Sequence, residues 1–401
     1  MLLTRLSLTN YRVFNRLDLE VPPSVILISG SNAQGKTSIL EAVAYLAGFA
    51  SFHTPLDRQL VNFNLPPEPL QVGRILAEFE KAGRKHSLEV RLILEFNGSI
   101  APRYRRELLL DGLKKSVNEL YGQFNAVCFL PQMSKIIEDS PAHRRQYLDQ
   151  ILSQVHPGYA RHLHDYHKAL AQRNALLKIL AERGGEARQL EIWDEIIARH
   201  GAEMMAARIQ GLDELAQEAA PFHVNLTRGQ ELLRLDYRPS YEPVPSPKGQ
   251  RALLQMQPER SQLSVDELET GFRKALIASH REDIARGMSA LGPHRDDFRF
   301  LGNAIDLGDF GSRGQIRTAL LSLKLAELQW MKQRTGEWPV LLLDEIMAEL
   351  DPQRRNDLMK ALGQVEQALL TSTDPQMFGL GFVEKHQNWI VENGMISRME
   401  A

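Results

Sequence analysis

The sequence predicts an α/β domain that is interrupted by a helical lobe, and three stretches of the chain support this prediction. Up to about residue 120, apolar and polar residues alternate as in strands, and Asp111-Gly112 supplies a tight-turn pair. From Pro141 to about residue 220, apolar residues recur three and four apart, which is the period of a helix. After Leu291, turns and apolar strands return. The α/β domain is therefore predicted to be discontinuous.

The helical lobe is predicted to contain two long helices, because Gly184-Gly185 interrupts the apolar period and a second period begins near Leu190. A stretch rich in Pro and Ser, from Tyr237 to Pro258, shows no period and is predicted to be a loop or linker. The predicted boundaries are residues 1–120 with 290–401 for the α/β domain and residues 121–289 for the helical insertion.

Composition limits the kinds of function that the chain can have. The 401 residues include 48 Lys and Arg against 50 Asp and Glu, a net charge of -2, so any contact with nucleic acid must use local basic patches. One cysteine, Cys128, excludes an internal disulfide and favours a reducing, cytoplasmic setting. No apolar run approaches the roughly 18 residues of a membrane helix. We therefore expect neither export nor a membrane partner.

A phosphate-binding loop is the strongest local prediction. The segment fits G-x-x-x-x-G-K-[ST], follows the apolar strand 25–29 and opens a helix. Backbone N–H groups and the helix N-terminus attract phosphate oxygens, while the lysine reaches the outer phosphates of ATP and the hydroxyl of Thr37 ligates Mg²⁺. The residues of this predicted site are Gly30, Ser31, Asn32, Ala33, Gln34, Gly35, Lys36, Thr37 and the following Ser38.

Two further motifs complete the pattern. The apolar strand 340–343 ends in Asp344 and Glu345, which suits a second phosphate-site strand beside the first, with Asp344 holding Mg²⁺ and Glu345 polarising water. Before a predicted helix, Ser312, Gly314 and Gln315 form a small-residue turn with open N–H groups. This order of motifs is the layout of ABC-type ATPases, in which the turn of one subunit caps the γ-phosphate held by the other.

The chain resembles the RecF family, in the SMC-like branch of ABC ATPases, over nearly its whole length. The residues that carry the resemblance are Leu8 to Arg12, Leu40-Glu41-Ala42 after the loop, Ser140-Pro141 with Arg144-Arg145, Tyr166, Gln172 to Lys178, Trp193-Asp194-Glu195, Leu291 to Asp297, and Gly311 to Thr318. The resemblance implies an α/β fold with an ABC-type (SMC-like) P-loop ATPase head and an inserted helical lobe.

The same resemblance implies slow ATP hydrolysis, an ATP-dependent homodimer, and binding to gapped DNA at junctions of single and double strand. It also implies cooperation with RecR and RecO in placing RecA on gaps. Within the site, Arg12 is expected to approach the nucleotide from the end of an edge strand. Gln132 is the candidate that links Mg²⁺ to the helical lobe, with a surface polar residue as the alternative interpretation.

Several alternatives stay open at this point. A soluble ATPase subunit of an ABC transporter shares the three motifs, and a head with a structural nucleotide would serve as a scaffold. Thr371-Ser372-Thr373 follows the last apolar strand without a histidine, so the γ-phosphate sensor is open. His294 lacks a second ligand or nucleophile at usable spacing, which favours a structural role. The first candidates for DNA contacts are the basic turns at residues 103–115 and 81–86.

Overall fold

The computed structural model describes residues 1–66, 68–96, 102–244, 260–378, 380–392 and 394–399. The chain divides into two compact units, Met1–Met133 with Lys324–Ala401 and Ser134–Leu323. The breaks therefore lie after residues 133 and 323, not after 120 and 289. The strand at 126–129 belongs to a sheet of the first unit, and the strand at 297–302 pairs within the second.

The strands are β1 Leu2–Tyr11, β2 Phe14–Glu20, β3 Val25–Ser29, β4 Leu70–Lys81, β5 Arg84–Glu95, β6 Arg103–Leu110, β7 Leu113–Lys114, β8 Ala126–Phe129, β9 Leu233–Arg238, β10 Asp297–Gly302, β11 Ile305–Asp306, β12 Val340–Asp344, β13 Ala368–Ser372, β14 Gln387–Glu392 and β15 Met395–Met399. The helices are α1 Lys36–Gly48, α2 Val117–Leu120, α3 Lys135–Glu138, α4 Pro141–Val155, α5 Tyr159–Arg183, α6 Glu191–Leu226, α7 Val265–Arg286, α8 Leu307–Phe310, α9 Arg313–Thr335, α10 Ile346–Glu349, α11 Pro352–Leu362 and α12 Leu380–Lys385.

The first unit contains an antiparallel sheet in the order β2-β1-β4-β5-β6-β7. Leu6 and Leu8 alternate with less buried neighbours along β1, so one face of this strand enters the core. Because β1 lies between β2 and β4, it is an interior strand, and the prediction that Arg12 follows an edge strand is wrong. The predicted turn at Asp111-Gly112 is confirmed: both residues have positive φ, 51° and 79°, as a tight hairpin requires.

The second sheet of the first unit holds the predicted phosphate-binding strand. Its order is β15-β14-β3-β13-β12-β8, and all pairs from β14 to β8 are parallel. Its strands β3, β13 and β12, and β8 at the edge, are apolar and mostly buried, as expected for a parallel sheet that is covered on both faces. The prediction that β12 lies beside β3 is wrong, because β13 lies between them. Their carboxyl ends nevertheless meet at one edge of the sheet.

Cys128 lies on β8 and is free and buried. Burial raises the pKa of its thiol to about 12, so the thiol stays protonated at neutral pH and acts as a small core side chain.

The second unit contains two long helices, as predicted, but the stretch before Gly184 is divided, since α4 ends at Val155 and α5 begins at Tyr159. Helix α5 ends at Arg183, directly before Gly184-Gly185, and α6 runs for 36 residues from Glu191. Two of the residues predicted to form the linker, Tyr237 and Arg238, lie in β9, where they pair with β10. Residues 245–258 of that stretch lie outside the described residues.

Three helices of this unit are tied by a buried ionic cluster centred on Arg173 of α5. Its Nε donates to Asp194 of α6 at 2.8 Å, and its Nη1 donates to Asp283 of α7 at 2.7 Å. All three side chains are fully buried. Because the two carboxylates are desolvated, they depend on the guanidinium for charge compensation.

Replacing Arg173 by methionine is expected to lower the free energy of unfolding of the helical unit by about 3 kcal/mol, since it removes the guanidinium that pairs with both buried carboxylates and leaves Asp194 with His280 and Asp283 with Ser279. Denaturant unfolding measures this, with Arg188→Met as control. The Arg188 side chain is 83% exposed beside Glu191, and its loss is expected to change stability by less than about 0.5 kcal/mol. Equal stability of the two variants would contradict the role given to the cluster.

Candidate nucleotide-binding site

The loop between β3 and α1 owes its shape to two glycines. Gly30 and Gly35 have φ of 146° and 106°. A Cβ on Gly30 would lie 2.4 Å from the carbonyl oxygen of Val391, and one on Gly35 would lie 2.7 Å from the Phe14 ring. Neither position admits a side chain, so neighbouring strands fix the path of the loop. Helix α1 begins at Lys36, and its first N–H groups point to the loop as an anion site does.

The ammonium group of the loop lysine, Lys36, already contacts oxygen acceptors. The Lys36 Nζ donates to the carbonyl oxygens of Gly30 at 2.8 Å and Ser31 at 3.1 Å, and lies 3.3 Å from Oε1 of Glu345. Its side chain is 5% exposed. Ser31, Asn32 and Ala33 form the exposed rim of the loop. The ammonium is therefore held within the loop, where its charge faces an incoming phosphate.

A carboxylate and two hydroxyls meet at the carboxyl edge of the parallel sheet. Thr37 and Thr371 both donate their hydroxyl to Oδ1 of Asp344, at 2.8 and 2.7 Å. Asp344 is buried, and Thr371 is its register partner on β13. The structure thus brings together Thr37 and Asp344, two of the three predicted metal ligands, across 307 residues of sequence.

Glu345 is held in an unusual backbone conformation directly after β12. Its φ is 49°, in the left-handed region that non-glycine residues rarely adopt. The side chain is 29% exposed, and its Oε2 accepts the N–H of Thr373 at 3.1 Å. The Glu345 N–H donates to Thr371 Oγ1 at 3.1 Å. Thr371 near the end of β13 and Thr373 just after it therefore hold the predicted base through its backbone and its side chain.

Arg12 contacts helix α1 through a carboxylate that the sequence analysis did not assign. Its Nε and Nη2 donate to the two oxygens of Glu41, at 2.7 and 2.6 Å. Tyr11 and Ser51 donate their hydroxyls to the same carboxylate, which is buried. Glu41 lies one helical turn after Thr37, so the i, i+4 spacing in an otherwise apolar helix was the signal that could have found it.

Gln132 follows β8 in a 3₁₀ turn, Pro131–Ser134, and is half-buried. Since β8 pairs in parallel with β12, this glutamine lies at the same edge of the sheet as Asp344. Its role at the metal stays a prediction. Ser38 lies in the first turn of α1 and is half-buried.

The turn before α9 belongs to the helical unit. Ser312 donates its N–H to Oε1 of Gln315 at 2.9 Å, while the Gln315 N–H points back to Ser312 Oγ at 3.3 Å. These reciprocal bonds are a capping box, which orders the start of the helix. The prediction of a helix that begins here is confirmed.

His294 has a structural role in the helical unit. Its Nδ1 lies 2.7 Å from the hydroxyl of Tyr166, and Nε2 faces the Ser289 carbonyl oxygen at 3.2 Å. Burial lowers its pKa to about 4, so the ring is neutral near pH 7. The neighbouring Asp296 and Asp297 are paired with Arg208 and Arg144. This motif therefore organises the unit internally.

The predicted basic turns differ in how far their charges are compensated. Arg105 is paired with Glu95 and Glu107, and Arg106 donates to Asp57 at 3.2 Å. Arg84 and Lys85, at the turn between β4 and β5, are exposed.

The described part of the chain contains no helix long and apolar enough to cross a membrane.

Comparisons with known proteins agree with this geometry. The family model described as RecF/RecN/SMC N terminal domain matches residues 2–395. The DNA replication and repair protein RecF of Halothermothrix orenii is 35% identical over 405 residues, covering 100% of both chains. RecF of Herpetosiphon aurantiacus is 33% identical over 412 residues, covering 99% of both.

Solved structures give the same result. The recombination mediator protein RecF bound to ATP is similar with a TM-score of 0.81 and 30% identity, covering 100% of this chain and 98% of that one. An SMC head bound to the winged-helix domain of ScpA has a TM-score of 0.53 at 13% identity and shows the fold alone. These matches give no support to the transporter alternative. The chain belongs to the RecF family of DNA replication and repair proteins, which has the SMC-type ATPase head fold.

Proposed function

We propose that this chain is an ATP-dependent DNA-binding protein of recombinational repair and replication restart, acting in the cytoplasm. In this proposal it binds gapped DNA and helps RecR and RecO to load RecA. The observation that carries the proposal is the meeting of Lys36, Thr37, Asp344 and Glu345 at one sheet edge in a chain that is similar to RecF over its full length. The proposed activity is a weak ATPase that uses the nucleotide as a signal.

The donor set at this edge fits Mg²⁺. A hydroxyl and a carboxylate, from Thr37 and Asp344, are the hard oxygen ligands that this cation takes together with water and phosphate oxygens. Among the described residues, no group of three or more His, Cys, Asp or Glu side chains is arranged to hold a metal. This agrees with a cation that takes some of its ligands from the nucleotide. Gln132 is the proposed further contact. When bound, Mg²⁺ would neutralise charge on the phosphates.

Glu345 is the proposed general base. Its carboxylate is paired with Lys36 at 3.3 Å, and phosphate oxygens compete for that ammonium. Once Lys36 turns to the phosphates, the carboxylate can accept a proton from the attacking water. The Thr373 N–H keeps one carboxylate oxygen oriented. Arg12, fixed by Glu41, is the proposed contact at the other side of the loop.

The turn of Ser312, Gly314 and Gln315 is proposed to complete the ATP site of a second copy. The N-terminus of the 23-residue helix α9, which follows from this turn, suits a γ-phosphate. Two copies would then form a homodimer only with ATP present. DNA would be retained by this dimer, with exposed cations such as Arg84 and Lys85 as the first candidates for backbone contacts.

Binding to gapped DNA tests the proposal. We expect wild-type protein to bind a gapped duplex about tenfold more tightly with ATP than without, because ATP binding and DNA binding are coupled through formation of the dimer. DNA binding is also expected to weaken as the salt concentration rises. A mobility assay measures this, with blunt duplex as the control substrate. Absence of gapped-DNA binding at low salt, while the protein still binds ATP, would refute the proposed function.

A further inference from the structure

A chain of buried polar side chains lies behind the turn of Ser312 and Gln315. The Gln315 Nε2 donates to Oε1 of Glu231 at 2.7 Å, and the other oxygen, Oε2, lies 3.0 Å from Nε2 of His223. His223 Nδ1 lies 3.0 Å from the hydroxyl of Ser322 on α9. All of these residues belong to the helical unit. None of the sequence motifs includes His223 or Glu231.

Backbone hydrogen bonds and close packing fix the position of Glu231. The residue lies in the short connection between α6 and β9, and its N–H and carbonyl oxygen both face the Thr227 hydroxyl at 3.3 Å. Its carboxylate occupies space that a side chain at Gly302 of β10 would need, because a Cβ there would lie 2.7 Å from Oε1. His223 is fully buried. The carboxylate is therefore fixed in position before any ligand arrives.

This carboxylate determines which way the Gln315 amide points. The amide oxygen accepts the N–H of Ser312, and the amide nitrogen must then find an acceptor on its other side. Glu231 supplies that acceptor. Without it, a flip of the amide would place an NH₂ group against the Ser312 N–H, two donors facing each other, and the capping box would be lost.

The orientation of the imidazole follows from the donors available. Ser322 donates its hydroxyl proton to the Thr318 carbonyl oxygen at 2.7 Å, so it accepts from His223 Nδ1–H. The Nε2 side of the ring faces Glu231. The imidazole thereby connects α9, which begins at the turn, to the carboxylate that holds the turn.

We infer that Glu231 is a positioning residue for the turn of Ser312, Gly314 and Gln315. It keeps the capping box closed, so that the start of α9 is presented in one geometry to the phosphate of a second copy. This inference rests on the proposed function for the phosphate contact. The ordering of the turn itself rests on the hydrogen bonds alone.

Three substitutions of Glu231 test the inference. Glu231→Leu removes both acceptors, and Glu231→Asp withdraws the carboxylate by one methylene and serves if the leucine variant does not fold. Glu231→Gln should preserve the bond to the turn, because its amide oxygen can still accept from the Gln315 amide nitrogen. Glu282→Ala is the control, since Glu282 forms an exposed pair with Arg286 in the same unit.

The first readout is hydrogen–deuterium exchange of peptides spanning residues 307–320 in the full chain without nucleotide. We expect exchange at the Ser312 amide to rise about fivefold in the leucine and aspartate variants, as the loss of one hydrogen bond implies, and to stay at the wild-type rate in the glutamine and control variants. Unchanged exchange in both the leucine and aspartate variants would overturn the inference.

The second readout is dimerisation by light scattering as ATP is titrated. The leucine and aspartate variants should need about tenfold more ATP than wild type to dimerise, while binding of a fluorescent ATP analogue to the monomer stays unchanged. Wild-type ATP response in these variants would overturn the positioning role. Should wild type itself not dimerise with ATP, the proposed function fails, and the exchange measurement still decides whether Glu231 orders the turn.

Discussion

Replacing Lys36 by alanine is expected to weaken ATP binding at least about 100-fold and to abolish ATP-dependent dimerisation. The ammonium is the buried cation of the loop, and it already makes three contacts at 2.8 to 3.3 Å that phosphate oxygens can take over. A charge-assisted contact with phosphate in a desolvated site contributes roughly twice as much as a neutral hydrogen bond. Its removal also leaves Glu345 facing the phosphates without a counter-charge.

Titration with a fluorescent ATP analogue measures this loss, and light scattering measures the dimer. Lys360→Ala is the matched control, because Lys360 is 73% exposed on α11 and pairs only weakly with Asp357 at 3.4 Å. The control should bind ATP as wild type does. Wild-type affinity in the Lys36 variant would show that the loop does not hold the phosphates.

Replacing Glu345 by glutamine is expected to slow ATP hydrolysis by about 10²- to 10³-fold, the range lost with a general base, and to leave ATP binding intact. An amide is isosteric with the carboxylate and its oxygen can still accept the Thr373 N–H, so the 49° φ of residue 345 and its surroundings are preserved. The amide does not take a proton from water. The dimer formed with ATP should therefore persist.

Single-turnover hydrolysis and size-exclusion chromatography with ATP measure these two effects. Glu384→Gln, an exposed position on α12, is the control and should hydrolyse ATP and dissociate as wild type does. If the Glu345 variant hydrolyses ATP at the wild-type rate, another residue supplies the base. If hydrolysis stops but DNA binding and RecA loading are unaltered, the bound nucleotide has only a structural role. ATP hydrolysis would then not control DNA binding.

The sequence by itself determined the parts whose chemistry lies in a short segment. The loop from Gly30 to Thr37, the acidic end of β12 and the helix start at Ser312 each carry their glycine spacing, apolar strand or cap within about ten residues. Local periodicity likewise predicted α5 and α6 and the break between them at Gly184. Local patterns suffice here because backbone conformation and helix amphipathicity depend on near neighbours.

Strand order and the partners of buried polar groups were decided only by the tertiary structure. No local pattern indicated that β13 separates β3 from β12, or that Thr371 therefore donates to Asp344 and Thr373 to Glu345. The pairing of Arg12 with Glu41, and of Gln315 with Glu231, joins residues 29 and 84 positions apart. A buried polar atom bonds to whichever partner the packed chain brings within about 3 Å. The residues next to it in sequence do not indicate which distant residue this will be, so only the tertiary structure decides the pairing.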